Sequence, residues 1–165
     1  MGSNGFLFIA AVALALCVGA GAGLAQAIDD ERQSASDVAA LRACLKAKGV
    51  HPHDQYGCIF SIANVCIGDS DVPGTQIGCH DREQRAWDSI LNDSYRSLRD
   101  SLDDDQRIKL RDMQRAWLEA RKRSCEFLDV YFQGSMAYPM VAYCDNEETA
   151  RRAIFLFGFA EDAKH

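Results

Sequence analysis

Apolar residues recur at helical spacing over most of residues 36–160, and no stretch shows the sustained alternation of a half-buried strand. The clearest case predicts a long helix over residues 80–102. Its apolar stripe consists of Trp87, Leu91, Tyr95, Leu98 and Leu102, at intervals of four or three residues. The acidic stretch that follows predicts a break, because Asp103 and Gln106 have the spacing of a capping box.

A second long helix is predicted over residues 104–130. Its seam of apolar and small residues comprises Leu110, Met113, Trp117, Ala120, Ser124, Phe127 and Tyr131. The short connection to the preceding helix favours an antiparallel pair, with Trp117 facing the core. Arg121 lies beside this seam, and two interpretations are open for it. It is either a boundary residue whose guanidinium meets Asp88 or Asn92, or a ligand-binding arginine.

Shorter helices are predicted over residues 36–48, 58–66 and about 147–159. Ser36 is a candidate N-cap of the first, and Gly49 a stop signal after it. Between Cys125 and Cys144, the segment FLDVYFQGSMAYPMVAY combines turn-forming residues with aromatic ones. It is interpreted either as a loop that caps the core or as an exposed, disulfide-braced binding loop. In the second case, the contact residues would be Tyr131, Phe132, Ser135, Met136 and Tyr138.

The N-terminus predicts export. Residues 6–18 are uninterruptedly apolar, and Ala25-Gln26-Ala27 has the A-x-A pattern that signal peptidase recognises. We therefore expect a signal peptide over residues 1–27, cleavage near Ala27, a flexible segment over 28–35, and a periplasmic or secreted protein. The first five residues contain no Lys or Arg, so an uncleaved membrane anchor is the alternative.

Six of the seven cysteines follow the predicted signal peptide, and an even number in an exported chain favours disulfides. Cys58 and Cys66 would be about 12 Å apart along one helix, too far to bond to each other. The sequential pairing 44–58, 66–79 and 125–144 is therefore expected. A zinc site using these cysteines with His51, His53 and His80 is the alternative, but it lacks C-x-x-C and H-x-x-x-H spacing.

The charge narrows the choice of partner. A net charge of −6 argues against nucleic acid, because nucleic-acid binding depends on neutralising phosphates, and it suits a basic protein. G-x-S-x-G, H-E-x-x-H and glycine-rich phosphate-loop motifs are absent from the sequence. We therefore expect a protein-binding domain that is not an enzyme and uses no metal or small-molecule cofactor.

Four segments, WDSILNDSY, QRAWLEARKRSC, GSMAYPMVAYC and TARRAIFL, resemble in order and spacing the lysozyme-inhibitor LprI-like N-terminal domain family of exported bacterial proteins. The matching positions, with Trp87 beside them, are Leu91, Asn92, Tyr95, Gln114, Arg115, Trp117, Arg121, Cys125, Gly134, Ser135, Cys144, Thr149, Arg152 and Leu156. The resemblance implies a domain over residues 80–160, preceded by a cysteine-rich helical hairpin extension over 36–79.

The expected fold is thus an all-α, small, disulfide-stapled helical bundle. For the namesake branch, the resemblance also implies binding and inhibition of lysozyme, so the expected function is that of a periplasmic inhibitor or binder of lysozyme-type muramidases. The alternative function is a structural or adaptor module of the envelope without lysozyme activity.

Overall fold

The computed structural model describes the backbone of residues 10–164 and the side chains of residues 26–164. Every regular element in that part of the chain is helical, so the predicted all-α fold is confirmed. The α-helices are α1 (Ala10–Lys48), α2 (Pro52–Gln55), α3 (Ser61–Ile67), α4 (Pro73–Ser101), α5 (Asp104–Tyr131) and α6 (Ala137–Asp162). Short 3₁₀ turns span Tyr56–Cys58 and Gly134–Met136.

Residues 1–35 and Ser36–His165 form two separate units. In the first unit, residues 10–35 are helical, including the 28–35 segment for which the sequence predicts flexibility. The sequence predicts that a helix begins at Ser36, and this prediction is wrong. Ser36 lies inside the continuous helix α1. Residues 1–9 of the predicted signal peptide lie outside the described part, as do the side chains of residues 10–25, and its cleavage near Ala27 stays a prediction. No helix among the described residues has the length and apolarity needed to cross a bilayer.

The core of the second unit is built around α4 and α6. Its fully buried large side chains include Leu41, Leu45, Trp87, Ile90, Ile154 and Leu156. Residues 36–48 of α1 are joined to α4 by two ion pairs. Arg82 holds Asp37 through two contacts of 2.7 Å, and Arg42 lies 2.6 Å from Asp93.

The predicted helix pairing is only partly correct. Both long helices form, but α4 packs most extensively on α6, and α5 packs along α6 and has little contact with α4. The predicted seam of α5 is accordingly exposed at Met113, Phe127 and Tyr131, whereas Leu110 is buried. Small side chains explain the preference for α6, since its buried alanines let a neighbouring helix approach closely. These are Ala137, Ala142, Ala150, Ala153 and Ala160.

Several helix boundaries differ from the prediction. The last helix begins at Ala137, ten residues earlier than expected. Pro139 does not prevent this, because it falls in the first turn, where a backbone N–H would have no intrahelical partner. The helix predicted from residue 80 begins at Pro73, again with proline in the first turn. The single helix predicted over 58–66 is a 3₁₀ turn followed by α3, with Phe60 at a φ of 68° between them.

Three disulfides hold these helices together, in the sequential pairing expected from the sequence. The Cα atoms of Cys44 and Cys58 are 5.9 Å apart, and those of Cys66–Cys79 and Cys125–Cys144 are 5.6 Å apart. Each closed loop stabilises the fold by about 2–4 kcal/mol, largely by restricting the unfolded chain. The third disulfide joins α5 to α6 near the turn between them.

Candidate functional site

The turn between α5 and α6 carries the most prominent group of exposed apolar side chains. We call Phe127, Val130, Tyr131, Met136 and Tyr138 the α5–α6 tip; they are 60, 75, 66, 52 and 66% exposed, respectively. The connection is five residues long, 132–136, so the tip is the end of a helical hairpin and not the long loop that the sequence predicts. Exposed apolar side chains grouped in this way are typical of a protein-binding or membrane-binding surface.

Four of the five residues predicted to contact a partner belong to this exposed region. Tyr131, Met136 and Tyr138 are members of the tip, and Ser135 is an exposed residue of the 3₁₀ turn. Phe132 is only partly exposed and packs edge-on against Tyr131, with ring centroids 5.1 Å apart. Phe132 therefore packs against the tip and exposes less of its own ring to a partner.

Two features fix the backbone behind the tip. The Cys125–Cys144 disulfide joins the last two turns of α5 to the second turn of α6. Gly134 has a φ of 78°, a conformation that side chains other than glycine rarely adopt, and it allows the tight reversal between the helices. A pre-formed binding surface loses less conformational entropy when a partner binds.

The sequence around the tip is acidic. Residues 124–150 contain five acids and no Lys, Arg or His. The acids are Glu126, Asp129, Asp145, Glu147 and Glu148. Three of them pair with cations just outside this range, in the contacts Lys122–Glu126, Arg121–Asp145 and Arg151–Glu147, so the local negative charge is largely balanced.

The family-like residues of α5 and α6 meet in a polar cluster. Arg121 Nη1 donates to Thr149 Oγ1 at 2.8 Å, and Arg152 Nε donates to Gln114 Oε1 at 2.8 Å. The Trp117 ring lies between the two guanidinium groups, 5.1 Å from that of Arg121 and 5.6 Å from that of Arg152. We call these five residues the α5–α6 clasp. Their register is antiparallel, in agreement with Cys125–Cys144.

Arg121 lies at the boundary between two helices, as the first of its two interpretations expects. Its partners differ from those predicted. They are Thr149 and Asp145, whose carboxylate lies 3.8 Å from Arg121 Nε, and not Asp88 or Asn92. The reason is the helix pairing, since α5 faces α6 and not α4. Asn92 instead donates to Asp88 within α4 at 2.9 Å.

Burial shifts the ionisation of the clasp. Desolvation lowers the pKa of the Arg152 guanidinium below its usual value. Desolvation likewise raises the pKa of the Asp145 carboxyl, and the nearby Arg121 only partly opposes this. Arginine remains charged over the accessible pH range, so the clasp holds two cations between the helices, faced by the Trp117 ring.

The remaining family-like residues have separate roles. Trp87 and Leu91 are buried in the core, and Tyr95 packs against it. Arg115 is exposed on α5, beside a groove of about 490 Å³ that Arg121 and Asp145 also line. None of these places a nucleophile beside a base.

A functional residue that the sequence analysis missed is Glu83. Its fully buried carboxylate accepts hydrogen bonds from the backbone N–H groups of Phe60, Ile62 and Ala63 at 2.6–2.8 Å, and so caps the start of α3. It also accepts from Trp87 Nε1 at 2.9 Å. The signal was its position four residues before Trp87, which places an acid on the apolar face of α4.

The histidines do not converge on a metal site. His80 is buried against Phe60 and Tyr143, with ring centroids 5.7 and 5.4 Å away, while His51, the N-cap of α2, and His53, within α2, are both exposed. Over the part of the chain that the structure describes, no three His, Cys, Asp or Glu residues are grouped so that they could hold a metal ion. Four of the candidate zinc ligands, Cys44, Cys58, Cys66 and Cys79, are engaged in disulfides.

Fold and surface together define a small, disulfide-braced all-α domain that presents an apolar tip in an acidic setting. The family model described as "Lysozyme inhibitor LprI" matches residues 66–156, more than half of the chain. The chain belongs to the LprI lysozyme-inhibitor family. The match begins at Cys66, before the expected domain start at residue 80, and so includes the Cys66–Cys79 disulfide. Neither the curated proteins nor the solved structures gave a match.

Proposed function

We propose that this protein is an exported inhibitor that binds lysozyme-type muramidases through its α5–α6 tip. The observation that carries the proposal is the exposed, disulfide-braced aromatic hairpin end on a chain of the LprI family. Family membership supports an inhibitor and not a catalyst. The binding surface and the identity of the partner are inferred from the chemistry of the tip.

Shape and composition support the tip as the contact surface. Tyrosine and methionine are enriched in the cores of protein interfaces, because they bury a large area at modest entropic cost. Tyr131 and Tyr138 each present most of the ring and a hydroxyl to solvent. The hairpin end is narrow enough to enter a cleft, whereas a flat helical face is not.

Charge supports a basic partner. The net charge of −6 would steer a cationic lysozyme towards the protein and raise the rate of association. This attraction should weaken as salt is added, because exposed charges are screened over about 10 Å at 0.1 M ionic strength. A partner held mainly by the aromatic residues would then dissociate at nearly the same rate in low and high salt.

The hydroxyls of the tip suit the chemistry of a muramidase cleft. Glycosidases use a pair of carboxyl groups that flank the scissile bond. Ser135, Tyr131 and Tyr138 offer hydroxyl donors to such carboxyls, and these three side chains carry no carboxyl group themselves. Occupying the cleft in this way would exclude the polysaccharide without any chemical step.

The test is a cell-wall clearing assay, in which lysozymes of several types are mixed with the protein recovered after export. Dose-dependent inhibition is expected. Replacing Tyr131, Met136 and Tyr138 together by alanine should abolish it, while the fold, followed by circular dichroism, is kept.

A matched control replaces three exposed apolar residues elsewhere, Val65, Val72 and Ile108, by alanine. This variant should inhibit as the unaltered protein does. Full inhibition by the tip variant would show that the tip is not the contact surface. No inhibition of any lysozyme by the unaltered protein would instead support the alternative, an envelope adaptor whose partner is not a muramidase.

A further inference from the structure

One face of α5 is left exposed by the packing of this helix against α6. Its residues lie within about 80° of one another around the helix axis. They are Lys109, Met113, Ala116, Ala120, Ser124, Phe127 and Tyr131, all exposed, and we call them the α5 outer face. Their intervals are all three or four residues, the spacing of a helix that packs along another helix.

The α5 outer face is symmetric about Ala120. Its intervals are four, three, four, four, three and four residues, the same read in either direction. In an antiparallel pair of α5 helices with a two-fold axis at Ala120, each residue therefore lies opposite the one equally far from Ala120 in the other direction. The two copies of Ala120 meet on the axis, and Ala116 lies opposite Ser124 of the partner subunit. Small side chains at the centre allow the helices to approach closely.

The larger residues that this symmetry brings together are chemically complementary. Met113 lies opposite Phe127 of the partner subunit, and a thioether sulfur packs favourably on an aromatic ring. Lys109 lies opposite Tyr131 of the partner subunit, and an ammonium group is attracted to the face of such a ring. Each of these contacts occurs twice in a two-fold pair.

The charges beside the face favour the antiparallel over the parallel arrangement. Arg123 and Glu119 flank the face, and their side chains are 77 and 58% exposed. In the two-fold pair, Arg123 is displaced by about 3 Å along the axis from Glu119 of the partner subunit, close enough for an ion pair. A parallel pair would set Arg123 beside Arg123 of the partner subunit and Lys109 beside Lys109 of the partner subunit, which repel.

We infer that the α5 outer face binds a second copy of this chain, as an antiparallel two-fold pair of α5 helices centred on Ala120. The contact over residues 109–131 is about 33 Å long. One helix pair buries an area at the low end of specific interfaces, so we expect a dissociation constant on the order of 10 μM. The pair covers Phe127 and Tyr131 of the α5–α6 tip, so under the proposed function a lysozyme and a second copy compete for them.

Cysteine trapping tests the register of the pair. Ala120→Cys should give a covalent dimer in a glutathione redox buffer, because its two thiols meet on the axis. Ala116→Cys is the matched control, an exposed alanine of the same face whose two copies lie about 12 Å apart along the helices, beyond the reach of a disulfide. A mixture of Ala116→Cys and Ser124→Cys should instead give a covalent heterodimer.

Sedimentation velocity of the protein recovered after export, over about 1–300 μM, measures the dimer itself. Ala120→Asp should raise the dissociation constant at least about tenfold, because two carboxylates would meet on the axis. Leu118→Asp is the control and should dimerise as the unaltered protein does. Leu118 is also exposed on α5, but it lies about 160° around the helix from Ala120.

Three results would each overturn the inference. They are a monomer over the whole concentration range, unchanged dimerisation of a folded Ala120→Asp variant, and cross-linking of Ala116→Cys as efficient as that of Ala120→Cys. Neither measurement contains lysozyme, and Ala120 lies outside the tip. Failure of the dimer would therefore leave the proposed function standing, and failure of inhibition would leave the dimer standing.

Discussion

The indole N–H of Trp87 donates to the carboxylate of Glu83 at 2.9 Å, and both side chains are fully excluded from solvent. The same carboxylate accepts three backbone N–H groups at the start of α3. One buried acid therefore joins the core tryptophan of α4 to a short helix that has no side-chain cap of its own. Buried charges are tolerated when they are hydrogen-bonded in this way.

We expect Glu83→Gln to destabilise the fold by about 3 kcal/mol, because an amide offers one acceptor oxygen and turns its own N–H₂ towards donors. The free energy of unfolding, from urea denaturation, measures this. Glu119→Gln is the control, since Glu119 is an exposed acid paired with Arg123 at 2.6 Å, and an exposed pair contributes little to stability. Equal effects of the two substitutions would show that the buried cap is not important.

His80 predicts a dependence of stability on pH. Burial lowers the pKa of His80 below its ordinary value of 6.5, and the neighbouring Glu83 and Asp81 oppose this only in part. Below pH 6.5 the unfolded chain therefore binds a proton that the folded chain does not. The free energy of unfolding should fall as the pH drops from 6.5 towards the folded-state pKa of His80, and should not change from this source above pH 7.5.

The measurement compares urea denaturation at several pH values for the unaltered protein and for His80→Gln. The pH dependence between 7.5 and 5.5 should be smaller in the variant, even if the variant is less stable throughout. His53→Gln serves as the control, because the His53 side chain is almost fully exposed. A His80→Gln profile parallel to that of the unaltered protein would contradict the assignment.

The α5–α6 clasp should behave as a coupled unit. Arg121→Met and Thr149→Val each break the 2.8 Å hydrogen bond between these helices, and a double-mutant cycle should give a coupling energy of about 1 kcal/mol. The exposed pair Arg123–Glu119, on α5 alone, should give a smaller coupling energy, because water screens it. A coupling for Arg121 and Thr149 no greater than that of the exposed pair would mean that the clasp does not hold the hairpin together.

Most of the fold follows from local patterns in the sequence. The capping box at Asp103 and Gln106 is formed, because both of its hydrogen bonds depend on residues three apart. The limited reach of a disulfide excludes a Cys58–Cys66 bridge and favours the sequential pairing, which the three observed bridges have. Trp87 and Leu91 lie in the core, as the stripe on α4 indicates.

The sequence does not show in the same way that α5 packs against α6 and not against α4. Periodicity shows that Trp117 and Phe127 share a face of α5 but does not show which helix covers that face, or how far along. The structure half-buries Trp117 against two arginines and leaves Phe127 exposed. Glu83 was missed for a related reason, since its importance comes from backbone groups that the tertiary fold brings near it.

The Cys125–Cys144 disulfide should matter for function as well as for stability, and comparison with Cys66–Cys79 separates the two effects. The two bridges span 19 and 13 residues, so replacing either pair by serine should destabilise the fold by a similar amount, about 3 kcal/mol. Only the first bridge lies behind the α5–α6 tip. At a temperature where both variants remain folded, we expect the Cys125→Ser/Cys144→Ser variant to lose inhibition of lysozyme at least about tenfold, because freeing the hairpin end adds an ordering cost to binding. The Cys66→Ser/Cys79→Ser variant should inhibit normally. If both variants inhibit equally well in the clearing assay while circular dichroism shows them folded, the brace has no part in recognition.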